Sequence, residues 1–121
     1  KLPFYIAPGK LDEVELTDTC MISELTNRIN ELCDEEDQKN RKKLTAAFVN
    51  TLLIQKGYIE EATEGEEKVK HVTEKGKEAG IKEEERQGRY GRKYYALIHT
   101  RESQEMILGE LRDYLSNLQG E

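Results

Sequence analysis

The sequence predicts an α+β domain in which a pair of helices is followed by a small antiparallel β-ribbon or three-stranded sheet and then by a C-terminal helix. The chain has 121 residues, enough for one hydrophobic core but not for two. Apolar residues recur at helical spacing in three segments, and β-rich runs bounded by glycine lie between the second and the third. We therefore predict one domain over residues 1–121, with an extended arm over residues 1–19 and an amphipathic closing helix over residues 102–118.

The N-terminal arm holds two prolines, which favour an extended chain because proline lacks the N–H that a strand or helix interior needs. Pro8 is also suited to the first turn of a short helix that ends near Val14. The first long helix is predicted from Ser23, as its N-cap, to Cys33. Its buried face is formed by apolar residues at positions i, i+4 and i+7: Leu25, Ile29 and Leu32.

A second helix is predicted over residues 44–57, after a polar run that is either a solvated turn or a frayed helical extension. Thr45 is placed to cap its N-terminus, and Gly57 is placed to end it in the left-handed conformation. Its apolar side is formed by Val49, Leu52, Leu53 and the stem of Lys56. We expect the opposite side of this helix to face solvent.

The chain from residue 58 onwards is mostly β-rich. Residues 58–72 predict a hairpin with an acidic tip over residues 60–67. Its strands would pair Tyr58 and Ile59 with Val69 and Val72. The remaining elements are a short helix from Thr73 to Gly80, a loop or second flexible projection over residues 82–91, a strand over residues 93–99 and the closing helix.

Cysteine, histidine and glycine spacing gives no sign of an active site. Cys20 and Cys33 are too few for a secreted disulfide framework, so we expect small buried thiols in a reducing cytoplasm, with a disulfide between them as the weaker alternative. His71 and His99 have no second ligand at helical spacing, so no zinc site is predicted. The glycines do not follow a phosphate-binding pattern. We therefore expect no cofactor and no enzymatic activity.

Hydropathy argues against membrane insertion and secretion. No stretch approaches the roughly 20 apolar residues of a membrane span, and no basic-then-apolar leader is present. The first residue is Lys1 rather than methionine, from which we expect a fragment of a longer protein or a trimmed tag.

The charge distribution supports a functional prediction. The chain carries 19 basic and 25 acidic residues, for a net charge of −6, yet two segments lack carboxylates. Residues 39–57 contain five cations, and residues 86–101 contain another five. Because phosphate contacts supply most non-specific affinity for DNA, two such segments converging on one patch would suit a nucleic-acid surface. The alternatives are chance segregation and pairing of the basic segments with the acidic ones.

The predicted element order is that of a winged helix-turn-helix domain: a helix, a turn, a second helix closed by glycine, and then a hairpin. In that arrangement small and amide side chains of the second helix reach base edges in the major groove. The lysines before this helix, and its free N–H groups, would lie near phosphates. The candidate DNA contacts are Lys42, Lys43, Thr45, Ala47, Asn50, Thr51, Gln55, Arg89, Arg92 and Lys93.

Three features depart from a simple DNA-binding wing. The connection over residues 34–44 is longer than the turn of a helix-turn-helix. The acidic hairpin tip over residues 60–67 would repel a phosphate backbone. Phe48 falls on the side expected to be exposed; if Phe48 belongs to the core, the exposed side rotates and the contact set changes.

Three stretches resemble winged-helix modules of Firmicute and phage-related proteins, some of which look like accessory domains of DNA-processing enzymes: residues 43–59, 72–81 and 94–98. The resemblance covers roughly residues 20–110, and its most specific parts are Lys56-Gly-Tyr-Ile59 and Thr73-Glu-Lys-Gly76. It implies the fold, and a DNA-associated or assembly role that carries over to the helix at residues 45–56 and its basic flank.

A second interpretation is a winged-helix module that binds protein and no nucleic acid. Its partner would be a parent enzyme or a second copy of the chain. The contact would use the apolar stripe of the closing helix, unless that stripe packs in the chain's own core: Ile107, Leu111, Leu115 and Leu118. An enzyme is the third and weakest interpretation, because the sequence identifies no nucleophile or base.

Overall fold

The computed structural model describes the backbone of residues 1–119 and the side chains of residues 1–118. Its elements are β1 (Thr19–Cys20), α1 (Ile22–Glu31), α2 (Glu35–Asn40), α3 (Ala46–Gln55), β2 (Ile59–Glu64), β3 (Glu67–Val72), α4 (Glu74–Glu78), β4 (Ile81–Gln87), β5 (Lys93–Thr100) and α5 (Arg101–Gln119). Short 3-10 turns cover Pro8–Glu13 and Arg89–Gly91. β2 and β3 form a two-stranded antiparallel sheet, and a three-stranded antiparallel sheet has the order β1-β5-β4. The predicted α+β class with small antiparallel sheets and a C-terminal helix is confirmed.

Local capping chemistry fixes the ends of α3 as predicted. The Thr45 hydroxyl oxygen accepts a hydrogen bond from the N–H of Phe48 at 3.0 Å, and Gly57 ends the helix with a φ of +84°. The prediction for α1 is wrong by two residues at its start, because Met21 rather than Ser23 is the N-cap. Glu24 reaches back to the N–H of Met21 at 3.5 Å and so stabilises the earlier start.

The polar run after α1 forms a short separate helix, α2. The Asp34 carboxylate caps it by accepting a hydrogen bond from the N–H of Asp37 at 2.8 Å. The N-terminal arm runs beside the end of α2: the N–H of Leu2 donates to the Asn40 carbonyl at 2.9 Å, and the N–H of Lys42 donates to the Leu2 carbonyl at 2.8 Å. The long connection between α1 and α3 is therefore a helix held in place by the arm.

Two hairpins follow α3. The first pairs β2 with β3, and Ile59 lies opposite Val72 as predicted. Val69 lies opposite Ala62, and Tyr58 precedes β2, so the rest of the predicted pairing is wrong. The predicted tip over residues 60–67 is too long, because the strands extend to Glu64 and resume at Glu67. The expected loop or projection over residues 82–91 is wrong for most of its length, because residues 81–87 form β4 and pair along β5. Only Ile81 of β4 is buried, so this strand has charged side chains on both faces and lacks the alternation that identifies a strand in a sequence.

The apolar stripe of α5 packs inside this chain. Ile107, Leu111 and Leu115 are 1%, 1% and 0% exposed, whereas Leu118 is 44% exposed. α5 lies against β5 and against the 3-10 turn at Pro8–Glu13, which cover the stripe. The expectation that these buried side chains contact a partner is therefore corrected. None of the helices described up to Gln119 is long and apolar enough to cross a membrane.

A buried polar cluster joins β5 to α5. The ring Nδ1 of His99 is hydrogen-bonded to the Ser103 hydroxyl at 2.8 Å, while its Nε2 is buried with no hydrogen-bond partner among the described residues. The side-chain amide of Gln104 donates to the carbonyls of Thr17 (2.9 Å) and His99 (3.1 Å). Burial lowers the pKa of His99 to about 4, so the ring is held neutral in the folded chain.

We expect this histidine to make the fold sensitive to mild acid. The unfolded chain binds a proton at His99 near pH 6.5, whereas the folded chain resists protonation until about pH 4, so stability falls as the pH falls between these values. The expected loss between pH 7 and pH 5 is about 2 kcal/mol. Urea unfolding at both pH values measures it.

The matched control is His99→Gln, which cannot titrate. His71 is retained in both proteins, so the difference between them isolates His99. If both proteins lose the same free energy of unfolding between pH 7 and pH 5, then His99 does not cause the loss.

Candidate nucleic-acid interface

The side of α3 opposite the core is exposed. Val49, Leu52 and Leu53 are buried, as predicted from their spacing. Ala47, Thr51 and Gln55 face solvent on the other side, and so does the capping residue Thr45. The Thr51 hydroxyl donates to the Ala47 carbonyl at 3.0 Å, which leaves its oxygen free to accept a further hydrogen bond. Within residues 1–118 the Gln55 amide has no hydrogen-bond partner, so it is available to a ligand.

Asn50 and Phe48 mark the two flanks of this exposed side. Asn50 is half-buried and its Oδ1 has no hydrogen-bond partner among the described residues, so it faces a groove rather than open solvent. Phe48 is 38% exposed and packs edge-on against Tyr114, with ring centroids 5.3 Å apart. Phe48 is thus neither a core residue nor a free one, and the exposed side is narrower than the sequence predicted.

The first basic segment keeps free cations near the start of α3. Lys42 and Lys43 are exposed, and no carboxylate of the described chain pairs with either ammonium group. They border a groove of about 440 Å³ together with Phe4, Phe48 and Tyr114. Two positive charges therefore lie unneutralised beside the N-terminus of α3, where the N–H groups of the first helical turn point outwards.

The second basic segment is largely neutralised, which corrects the expectation of a strongly positive surface there. Arg92 pairs with Glu67 of β3, and the Lys93 ammonium lies 3.3 Å from the Glu85 carboxylate of β4. Arg89 alone of the three predicted contacts has no carboxylate partner within the described chain. The glutamates come from strands that the sequence did not place beside this segment.

The two basic segments border different flanks of α3. Lys42 and Lys43 share a groove with Phe48, whereas Lys93 shares a second groove, of about 470 Å³, with Asn50. Phe48 and Asn50 are two positions apart, which is about 200° around a helix. The segments therefore do not merge into one patch, and the exposed side of α3 lies between them.

His71 links the two hairpins by hydrogen bonds. Its position in the sequence did not indicate this role. Its Nε2 lies 3.1 Å from the Glu64 carboxylate, and its Nδ1 lies 3.1 Å from the Glu83 carboxylate of β4. Hydrogen bonds to Glu83 and Glu64 raise the pKa of His71. The ring also contacts Tyr95 of β5, with centroids 5.3 Å apart.

These contacts change the electrostatics of the acidic hairpin tip. Glu64 is engaged by His71 and Glu67 by Arg92. The ammonium groups of Lys68 and Lys70 lie 4.0 and 3.8 Å from the Glu61 carboxylate. Three of the five carboxylates of the tip therefore face cations or hydrogen-bond donors of the chain itself. The tip therefore repels a phosphate backbone less than its composition predicted. The partners of Glu61 and Glu64 lie on β3 of the same hairpin, whereas the partner of Glu67 could not be predicted, because Arg92 lies in the turn before β5.

The two cysteines are not activated as nucleophiles. Cys20 and Cys33 are free thiols, and burial raises the pKa of both, so the nucleophilic thiolate is disfavoured. Within residues 1–119 no three histidine, cysteine or acidic residues are grouped so that they could hold a metal ion. Comparison of the chain with protein-family models, with curated proteins and with solved structures finds no match.

Proposed function

We propose that this chain is a non-enzymatic winged-helix module that binds double-stranded DNA through α3. One observation carries the proposal: an exposed helix side with small and amide side chains begins beside two lysines that no carboxylate of residues 1–118 neutralises. The major groove is about 12 Å wide and admits a helix in this way. The succession of α1, α3 and the β2–β3 hairpin, with the short α2 in the connection between the helices, is compatible with a winged helix and supports this proposal.

The chemistry of the helix start supports phosphate contacts. Thr45 already satisfies one N–H of the first turn, and the remaining N–H groups and the helix dipole favour an anion. Lys42 and Lys43 precede that turn directly. A phosphate placed there would leave Ala47, Thr51 and Gln55 directed towards base edges.

Base recognition would be limited. Of the predicted contacts on α3, Gln55 is the exposed amide, and an amide is suited to pair with the N6 and N7 groups of adenine. Asn50 is turned towards the groove beside the hairpins, so we do not assign it a base contact. A tolerant, backbone-dominated mode of binding follows from this small set.

The dependence of binding on salt tests the proposal. Lys42, Lys43 and Arg89 are the predicted contacts with free charges, and three phosphate contacts correspond to a slope of about −3 in a plot of log affinity against log salt concentration. The measurement is fluorescence anisotropy of a labelled flush-ended duplex at several salt concentrations. Absence of binding at low salt, or affinity that does not change with salt, contradicts the proposal.

The alternative is a module that binds protein and no nucleic acid. Most of the surface expected to contact that protein is buried. Three of the four side chains assigned to it are enclosed in this chain's own core: Ile107, Leu111 and Leu115. Leu118 alone remains exposed. For this reason we retain DNA binding as the proposal.

A further inference from the structure

The tip of the β4–β5 hairpin holds an aromatic ring fully in solvent. Tyr90 is 103% exposed, and its backbone adopts the left-handed conformation with φ of 61° and ψ of 29°. Residues other than glycine rarely adopt that conformation, and such positions are concentrated at functional sites. The ring therefore occupies the apex of a turn whose geometry directs it away from the fold.

The turn that carries Tyr90 is held in a defined shape. The N–H of Gly88 donates to the Arg92 carbonyl at 2.6 Å, which closes the turn. The Tyr94 ring lies beneath it, since a Cβ atom on Gly88 would come within 3.5 Å of that ring. The Arg92 side chain is tied to Glu67 on the neighbouring hairpin. A ligand that contacts Tyr90 therefore binds to a turn whose shape is already fixed.

The charge around the tip favours an anionic ligand. Arg89, adjacent to Tyr90, has no carboxylate partner in the described part of the chain, whereas Arg92 and Lys93 are paired with glutamates, so Arg89 supplies the free positive charge beside the ring. An exposed aromatic ring beside a free guanidinium group is the combination by which proteins hold unpaired nucleotides. The ring stacks on the base, and the cation meets the phosphate or the face of the base.

The position of the hairpin connects this tip to α3. Lys93, at the start of β5, lines the same groove as Asn50 of α3. A duplex lying on α3 would therefore have the Tyr90 tip near one of its edges. Because stacked base pairs expose only their edges in the grooves, an apical ring finds no base face along a groove, whereas an unpaired base offers one.

We propose that Tyr90 and Arg89 form a stacking site for an unpaired nucleobase, so that the module binds DNA most tightly where a duplex adjoins a single strand. This inference rests on the proposed function, since α3 supplies the duplex contact. It adds the class of ligand: a junction of double-stranded and single-stranded DNA. Stacking of one base on an aromatic ring corresponds to roughly tenfold in affinity.

The experiment compares two labelled probes by fluorescence anisotropy: a flush-ended duplex and the same duplex with a short oligothymidylate extension. The wild-type chain is expected to bind the extended probe about tenfold more tightly. Tyr90→Asn removes the ring but suits the left-handed backbone, since asparagine tolerates that conformation. Tyr90→Phe keeps the ring and serves as the matched control.

The preference for the extended probe is expected to persist in Tyr90→Phe and to disappear in Tyr90→Asn. Loss of the preference in both variants, or its persistence in both, overturns the stacking site. Equal binding of both probes by the wild-type chain also overturns it but leaves the proposed function intact. Absence of binding to the flush-ended duplex contradicts the proposed function instead. If the chain then still binds oligothymidylate alone, and this binding depends on Tyr90, the stacking site stands.

An aromatic and basic tip would also suit the surface of an anionic membrane. A third experiment distinguishes binding to unpaired DNA from binding to membranes. Flotation with vesicles of phosphatidylcholine and phosphatidylserine is expected to show no binding, because one exposed ring and one free cation are too few for stable membrane attachment. Flotation that depends on Tyr90, together with equal affinity for the two DNA probes, assigns the tip to membranes and overturns the proposal.

Discussion

Reversing the charge of Lys42 and Lys43 together, to glutamate, is expected to weaken DNA binding by about tenfold to hundredfold at low salt. Both ammonium groups lack a carboxylate partner in the part of the chain that the structure describes, so their charges are available to phosphates. Phosphate contacts carry no sequence information, and the loss is therefore expected to be similar for every duplex. The slope of log affinity against log salt concentration should become shallower by about 2 units.

The matched control changes the net charge equally at lysines outside α3 and its N-terminal flank. Lys77→Glu with Lys82→Glu alters one residue of α4 and one of β4, both exposed. Only a small loss of affinity is expected, because neither lysine is among the predicted DNA contacts and exposed charges act weakly over longer distances in salt. If the two double variants weaken binding equally, net charge rather than a contact at α3 governs binding, and the assignment of Lys42 and Lys43 is wrong.

The elements that could be predicted from the sequence are those defined by neighbouring residues. Thr45 and Gly57 bound α3 because a capping hydroxyl and a left-handed glycine act within one helical turn. Ile59 pairs with Val72 because a single hairpin brings them together. In each case the residues that decide the structure lie close together in the chain.

The features that the sequence could not predict depend on partners that no residue pattern identifies. Charged β4 is a strand because β5 supplies its hydrogen bonds, and Arg92 is neutralised by Glu67, which lies on the other hairpin. The stripe of α5 has the same spacing whether it meets a partner or the chain's own core. Only the position of the Pro8–Glu13 turn against α5 decides between the two.

Replacing Gly76 by alanine is expected to cost roughly 3–5 kcal/mol in the free energy of unfolding. A Cβ atom at this position would lie 2.1 Å from the Tyr58 carbonyl oxygen and 2.7 Å from a methyl carbon of Val72. The Tyr58 carbonyl cannot move aside freely, because it accepts hydrogen bonds from the N–H (3.2 Å) and hydroxyl (3.0 Å) groups of Thr73. Urea unfolding followed by circular dichroism measures the loss.

Gly109→Ala is the matched control for this variant. It makes the same substitution within α5, where nothing lies within 4 Å of the new Cβ atom. Alanine favours the helix over glycine, so this variant is expected to gain up to about 1 kcal/mol. If Gly76→Ala stays within about 1 kcal/mol of the wild-type chain, the close contact with Tyr58 is not rigid.

The expected loss at Gly76 also bears on how the resemblance to winged-helix modules is interpreted. Thr73-Glu-Lys-Gly76 is one of its most specific parts, yet here Thr73 and Gly76 serve to seat α4 on the backbone at the start of β2. A total stability of about 5–15 kcal/mol leaves little margin for such a loss. DNA binding that disappears in Gly76→Ala would therefore report unfolding, whereas loss of binding in a folded Lys42 and Lys43 variant would report a contact.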